Sequence, residues 1–257
     1  MPFALVTGAS KGIGKAIALQ LAARKKDLLL VARSEVQLQE LCAEVEKNYG
    51  VTARYLALDL SQNGAAKNVF DWCLQNNYDV DVLVNNAGYG LSGAFDKYSL
   101  DEHLNMMQLN MNVIIELTYY FLPVLKKQSK AHILNIASSA AYQAVPFLSL
   151  YAASKSFVLQ FSRGLHLELE NTNISVTCVS PGATDTAFVD RANVGTKALD
   201  LAKKVNMHPD AVAKIAIDSM YKGKTEVITG FLNKLGAALV WLLPKRIIEK
   251  ASAKIYQ

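Results

Sequence analysis

The sequence predicts a doubly wound α/β fold: a seven-stranded parallel sheet with helices on both faces. Three observations predict it. Short β-branched or Leu-rich runs alternate with longer segments of helical period. The short runs are largely apolar on both sides, as strands of a parallel sheet covered on two faces must be. A glycine-rich turn joins the first such run to the first helical segment.

In chain order, the first strand is expected at Phe3–Thr7 and the first helix at Gly14–Arg24, with Ile17, Ala18 and Leu21 at core spacing. Strand Leu28–Ala32 follows, then a helix over Val36–Lys47 that repeats apolar residues at Val36, Leu38, Leu41, Cys42 and Val45, with Ser34 placed to cap it. Next come strand Ala53–Leu58, helix Ala65–Gln75, strand Val82–Asn85 and a long helix over Asp101–Lys127. Strand His132–Ala137, helix Leu148–Glu170 and strand Ser175–Val179 repeat the unit. Helix Pro209–Tyr221, with proline at its first position, and strand Glu226–Thr229 complete it. Right-handed crossovers then set the carboxyl ends of the strands along one edge, where ligands bind. No linker, repeat or low-complexity segment interrupts the pattern, so residues 1–257 are expected to form a single domain.

Two stretches break the alternation. Gly182–Met207 is long and weakly periodic, which makes residues 183–207 a candidate substrate loop. The C-terminal extension, 231–257, holds the apolar run Leu235–Leu243, then Pro244, then a basic amphipathic segment. The run is too short to span a bilayer and is flanked by Lys234 and Lys245. Interfacial docking on a membrane is one reading. Packing over the substrate cleft or against another subunit is the one that length and flanks favour.

Composition narrows the function classes. Half the chain is apolar (51%) and the rest is well mixed, as in globular proteins. The net charge of +5 is scattered, with no Lys/Arg block of the kind nucleic-acid binding needs. Cys42, Cys73 and Cys178 are too few and too far apart for a disulfide framework or a metal site, so reduced thiols in a cytoplasmic protein are expected. The chain runs straight into Phe3-Ala4-Leu5-Val6-Thr7 with no basic, cleavable leader, which argues against secretion. His103, His132, His166 and His208 show no partner pattern and read as structural or surface residues.

The turn Thr7-Gly8-Ala9-Ser10-Lys11-Gly12-Ile13-Gly14 follows a strand and opens a helix, the context a dinucleotide site requires. One glycine permits the tight turn, another a close backbone approach to pyrophosphate, the third close helix–strand packing. The helix start offers free N–H groups and a favourable dipole to the phosphates. Gly8-Ala9-Ser10-Lys11-Gly12 also fits a nucleophile elbow, with Ser10 attacking and His166 or His208 as partner. That reading leaves no upstream strand and loop for a second oxyanion donor, and leaves Gly14 unexplained.

Arg33 ends the second strand where an NAD enzyme places an acid on the ribose 2′-hydroxyl. With Lys11 nearby it fits the 2′-phosphate of NADP, which calls for cations and donors. Asp59, after the third strand, either bonds the adenine amino group or caps the next helix. Tyr151 and Lys155 stand at i and i+4 in a helix and so share a face. An adjacent ammonium favours the phenolate, which suits Tyr151 to give a proton to a carbonyl oxygen or take it back.

These motifs together resemble the short-chain dehydrogenase/reductase family, over residues 3 to about 230. Its TGxxxGxG turn matches Thr7 to Gly14, its NNAG motif Asn85 to Gly88, and its YxxxK motif Tyr151 and Lys155. Its strand-end serine, about 13 residues before the tyrosine, matches Ser138 rather than Ser139. Its helix asparagine matches Asn110, and its PG motif with a following threonine matches Pro181, Gly182 and Thr186. The resemblance implies a Rossmann-type fold and an NADP(H)-dependent oxidoreductase acting on a small-molecule carbonyl or alcohol. It implies that Ser138 orients the carbonyl oxygen, Tyr151 donates the proton, and Lys155 holds the nicotinamide ribose and lowers the tyrosine pKa. Asn110 would support a water chain from Lys155 to solvent. Asn86 and Gly88 would contact the cofactor or stabilise the sheet beside it. Pro181 and Gly182 would let the backbone approach the nicotinamide, and Thr186 would bond its carboxamide. The expected cofactor-binding set is completed by Ser10, Ile13, Leu60, Ala87 and Thr184. No metal is expected.

Tyr89, Leu91, Tyr142, Phe147 and Leu148, with Ala183, Phe188 and Val189, flank the expected reacting centre. Their apolarity points to a lipophilic ketone, aldehyde or 3-oxoacyl group, and the NADP reading favours reduction. A non-catalytic NADP(H) sensor is the alternative, although a sensor would often lack the tyrosine or lysine. The resemblance also implies a homodimer or homotetramer through the long helices, where Leu104, Met107, Met111, Ile114 and Ile115 are candidates for the contact.

Overall fold

Strand pairing is decided by two-sided burial. Along β1 (Phe3–Thr7), Leu5 points into one core and Ala4 and Val6 into another, all fully buried. The computed structural model describes residues 2–184 and 206–256. Its seven strands lie in the order β3-β2-β1-β4-β5-β6-β7, all parallel. The others are β2 (Asp27–Ala32), β3 (Ala53–Ala57), β4 (Val80–Asn85), β5 (Ala131–Ile136), β6 (Ile174–Ser180) and β7 (Glu226–Ile228). The expected doubly wound sheet is therefore present, and strand order reverses between β1 and β4, the point where such sheets open a ligand crevice.

One face carries α1 (Gly12–Ala22), α2 (Glu35–Tyr49) and α7 (Pro209–Tyr221), closing a core around Ile17, Leu38, Leu41 and Ile217. The other carries α3 (Ala65–Gln75), α5 (Val113–Leu125) and α6 (Ser149–Glu168), around Val69, Leu117, Phe121 and Leu165. Pro209 occupies the start of α7, as expected. Ser34 stands at the N-cap of α2 but makes no side-chain capping bond, so the expected cap is positional only.

The helix expected as one piece over Asp101–Lys127 is divided. It comprises α4 (Leu100–Met107), a π-helical segment over Gln108–Asn112, and α5. A capping box starts it: the Ser99 hydroxyl accepts from Glu102 N–H and the Glu102 carboxylate accepts from Ser99 N–H. The C-terminal extension forms α8 (Phe231–Leu242) and α9 (Lys245–Tyr256). No helix among the described residues is long and apolar enough to cross a membrane. All three cysteines are buried free thiols. Three histidines bond locally, His103 to Phe95 O (2.8 Å), His132 to Ser175 (2.6 Å) and His166 to Val176 O (2.9 Å), while His208 caps α7.

Candidate active site

The glycine turn is shaped by what lies against it. Gly8 has a positive φ of 65°, so the chain reverses there where a side chain is strained. A Cβ on Gly14 would overlap the carbonyl oxygen of Gly8, so only glycine lets α1 approach the turn this closely. Lys11 is the N-cap of α1 and makes no side-chain cap bond, which leaves the first N–H groups of the helix without a side-chain acceptor. Beneath the turn, Thr7 Oγ1 donates to Val84 O (3.1 Å) and accepts from the N–H groups of Asn86 (2.9 Å) and Ala87 (3.1 Å). The Asn86 amide donates to Thr7 O (2.9 Å) and Gly8 O (3.2 Å), clamping the ends of β1 and β4 together.

A cavity of about 570 Å³ opens above these strand ends. Gly8, Ser10, Lys11, Gly12, Ile13 and Gly14 line it together with Asn86, Ala87 and Gly88. Arg33, Asp59 and Leu60 also line it, joined by Ser34, which the sequence marks only as a helix cap, and by Gln37, which no motif marks. Lys11 and Arg33 are exposed, and among the described residues no ion pair engages either. Glu35 does not pair with Arg33: its carboxylate accepts from the Tyr55 hydroxyl (3.3 Å). Asp59 does not cap α3, whose N-cap is Gly64; its carboxylate instead accepts from Ser61 N–H (3.0 Å) and Ser61 Oγ (2.8 Å).

Ser138, Tyr151 and Lys155 line the same cavity. Ser138 caps a short 3₁₀ turn over Ser139–Tyr142, its hydroxyl accepting from Ala140 N–H (3.1 Å). Ser139 lines the cavity too, and its N–H donates to Pro181 O (2.7 Å). One helical turn separates Tyr151 from Lys155, and the ammonium lies 5.9 Å from the phenol ring centre. Lys155 is 4% exposed and its Nζ donates to Ile136 O (2.9 Å). Burial lowers its pKa from 10.5 to about 8, against a smaller opposing influence of Cys178.

Asn110 does not line the cavity. It sits fully buried in the π-helical segment, under Gly88. Its amide donates to Tyr89 O (2.9 Å) and Ser154 Oγ (3.0 Å), and its carbonyl accepts from Tyr89 N–H (3.1 Å). Ser154 Oγ passes the link on to Tyr151 O (2.7 Å). A Cβ on Gly88 would stand 2.9 Å from Asn110 Oδ1 and 3.4 Å from Lys155 Nζ, so bare backbone separates the two.

Pro181, Gly182, Ala183 and Thr184 close the wall beside Ser138 and Ser139. The space over Gly182 is filled by the Asn233 side chain of α8, which donates to Thr229 O (2.8 Å). Ser252 of α9 also lines the cavity, so the tail packs over the cleft. Neither Asn233 nor Ser252 belongs to a motif that would have marked it. Of the apolar candidates, Tyr89, Leu148 and Ala183 line the cavity with Val145. Leu91 and Phe147 do not. Nor does Tyr142, whose hydroxyl donates to Glu226 (2.5 Å). Thr186, Phe188 and Val189 lie outside the described residues. Neither His166 nor His208 lines the cavity, so neither histidine that the elbow reading would use stands beside Ser10 there. Among the described residues no cluster of three metal-ligating side chains occurs.

Comparison with known proteins agrees with this architecture. The short chain dehydrogenase family matches residues 2–196. A very-long-chain 3-oxoacyl-CoA reductase of Anas platyrhynchos is 36% identical over 187 residues, which are 70% of this chain and 58% of the relative. The chain thus spans under two thirds of that relative's length. A 7beta-hydroxysteroid dehydrogenase of Clostridium sardiniense is 29% identical, covering 90% of this chain and 86% of its own. A short-chain dehydrogenase from Sphingobium yanoikuyae, solved in complex with NADPH, superposes with a TM-score of 0.82 at 29% identity, covering 94% of each chain.

Proposed function

This chain belongs to the short-chain dehydrogenase/reductase family, a carbonyl/alcohol oxidoreductase with a nicotinamide cofactor, and from that premise we propose that it uses NADP(H) on a lipophilic ketone, aldehyde or 3-oxoacyl group. The observation that carries the proposal is one cavity lined at once by the cations Lys11 and Arg33 and by Ser138, Tyr151 and Lys155.

The residues fit the cofactor. The uncapped start of α1, held against Gly8 by the absence of a side chain at Gly14, suits the pyrophosphate. Arg33 and Lys11, with Ser34 and Gln37, supply the charge and donors for a 2′-phosphate. When bound, the cofactor supplies or accepts the hydride. The chain supplies the rest. The Ser138 hydroxyl donates to the substrate oxygen and fixes its position. Tyr151 gives that oxygen a proton during reduction and takes it back during oxidation. The Lys155 ammonium, held by Ile136 O, stabilises the phenolate that results. Asn110 acts as a positioning residue, tying Tyr89 to the first turns of α6 through Ser154. Val145, Leu148 and Tyr89 exclude water and favour an apolar substrate. The two relatives named for a 3-oxoacyl-CoA and a hydroxysteroid support that substrate class.

The test is titration of the purified chain with NADPH and NADH, followed by turnover of a panel of long-chain 3-oxoacyl thioesters, steroid ketones and aldehydes. NADPH should bind more tightly than NADH, and at least one lipophilic member should be reduced. Tighter NADH binding, or turnover confined to polar substrates, would refute the reading.

A further inference from the structure

The C-terminal helix pair has two opposite faces. In α8, Asn233, Ala237 and Val240 recur at helical spacing on the side turned to the body of the protein: Asn233 fills the space over Gly182, and Ala237 is buried. In α9, Ser252 is buried against the cavity. This inner face is the packing the tail was expected to make.

The outer face of α8 is apolar and uncovered. Leu232, Leu235, Leu239 and Leu242 form a stripe with exposures of 59, 47, 41 and 78%. Phe231, Leu243 and Ile247 extend it at the two ends, at 78, 45 and 60%. Apolar side chains gathered this densely on a surface mark an interaction site.

The charge carried by α9 and by the ends of α8 selects the partner. Arg246, Lys250 and Lys254 recur every four residues on the exposed side of α9, turned away from Ser252. Lys234 and Lys245 stand near the two ends of the apolar stripe. Glu249 is the only acid from residue 231 to 257. A second copy of the chain would set these cations against their own kind. A layer of anionic headgroups complements them and takes the leucine stripe into its acyl boundary. The helices are too short to span a bilayer, so the pair lies in its plane.

We propose that α8 and α9 dock the protein in the plane of an anionic lipid surface, with the leucine stripe inserted and the wall of the cavity directly behind it. This docking surface stands independently of the reaction proposed above.

The test is co-sedimentation of the full chain with phosphatidylcholine vesicles containing about one third phosphatidylserine, and with phosphatidylcholine alone. The chain should bind the mixed vesicles at least about tenfold more strongly. Leu235→Glu combined with Leu239→Glu should lower that binding by more than about tenfold. Lys250→Gln and Lys254→Gln should each reduce the preference for anionic vesicles about fivefold. All four side chains are exposed, so the variants should keep the circular dichroism and thermal midpoint of the parent. Equal binding to both vesicle types, or to neither, overturns the proposal. So does a dimer that the two leucine substitutions split into monomers, because a second copy then covers the stripe.

Discussion

Burial and charge conflict most directly at Lys155. An ammonium at 4% exposure holds its proton less tightly than one in water, which is why its pKa falls to about 8. The sign for catalysis follows. Below that value the lysine is cationic and supports the charge left on Tyr151 after it gives up its proton; above it the support fades. The rate of reduction, followed by NADPH consumption across pH, should therefore fall as pH rises through about 8. A profile flat from pH 6 to 10 would contradict the role given to Lys155. At the other end of the cavity, Arg33 has no ion-pair partner among the described residues. Arg33→Ala should weaken NADPH binding by about ten- to hundredfold, the worth of a charge-assisted hydrogen bond, and leave NADH binding nearly unchanged. Fluorescence titration of both nucleotides reads the difference. Equal losses for the two would place Arg33 away from the 2′-phosphate.

At the scale of elements, the site depends on two close approaches. Gly14 lets α1 press on the glycine turn, and Gly14→Ala should cost about 1–3 kcal/mol through overpacking, measured by urea unfolding. The π-helical segment lets Asn110 reach both polar groups of Tyr89 and the Ser154 hydroxyl. Asn110→Ala would remove three buried side-chain hydrogen bonds, at about 1–3 kcal/mol in the same measurement. The contrast between these features shows what a sequence makes legible. The glycine turn and the Tyr151–Lys155 pair are local spacings, readable because a strand-to-helix turn and a helical i, i+4 face are set within a few residues. The π segment is not local. Its asparagine closes on Tyr89, 21 residues earlier, and nothing in the helical period of 101–127 marks the interruption. Asp59 stood open between bonding adenine and capping the next helix because local sequence does not tell a ligand contact from a cap; the N-cap of α3 is Gly64, and the Asp59 carboxylate turns to Ser61 instead.

On the scale of the whole molecule, strand order does the positioning. The strands are all parallel, so Thr7, Asn85 and Ile136 end at one edge, and Gly8, Asn86 and Ala137, which follow them in the chain, line the cavity there. Alternation of strand and helix made the doubly wound parallel sheet predictable, because right-handed crossovers set the strand carboxyl ends along one edge; the strand order itself comes from the structure. The tail was harder to read, because Asn233 and Ser252 carry no motif and their use depends on where the chain folds back. If residues 1–257 form one cooperative unit, calorimetry should show a single unfolding transition that NADPH raises as a whole. Two transitions, of which NADPH moves one, would mean that the tail and the sheet unfold separately. Oligomerisation through α4 and α5 would use Leu104 and Ile115, which are 56 and 40% exposed, and not Ile114, which is core.

The most direct test of the central claim is NADPH-dependent turnover by the parent chain beside Tyr151→Phe, on the lipophilic carbonyl that the panel identifies. The ring and its packing stay while the proton donor is lost. The NADPH affinity should stay within about twofold of the parent while turnover falls by a factor of roughly 10² to 10⁴. Turnover at the parent rate would show that the proton comes from elsewhere and would remove Tyr151 from the reaction.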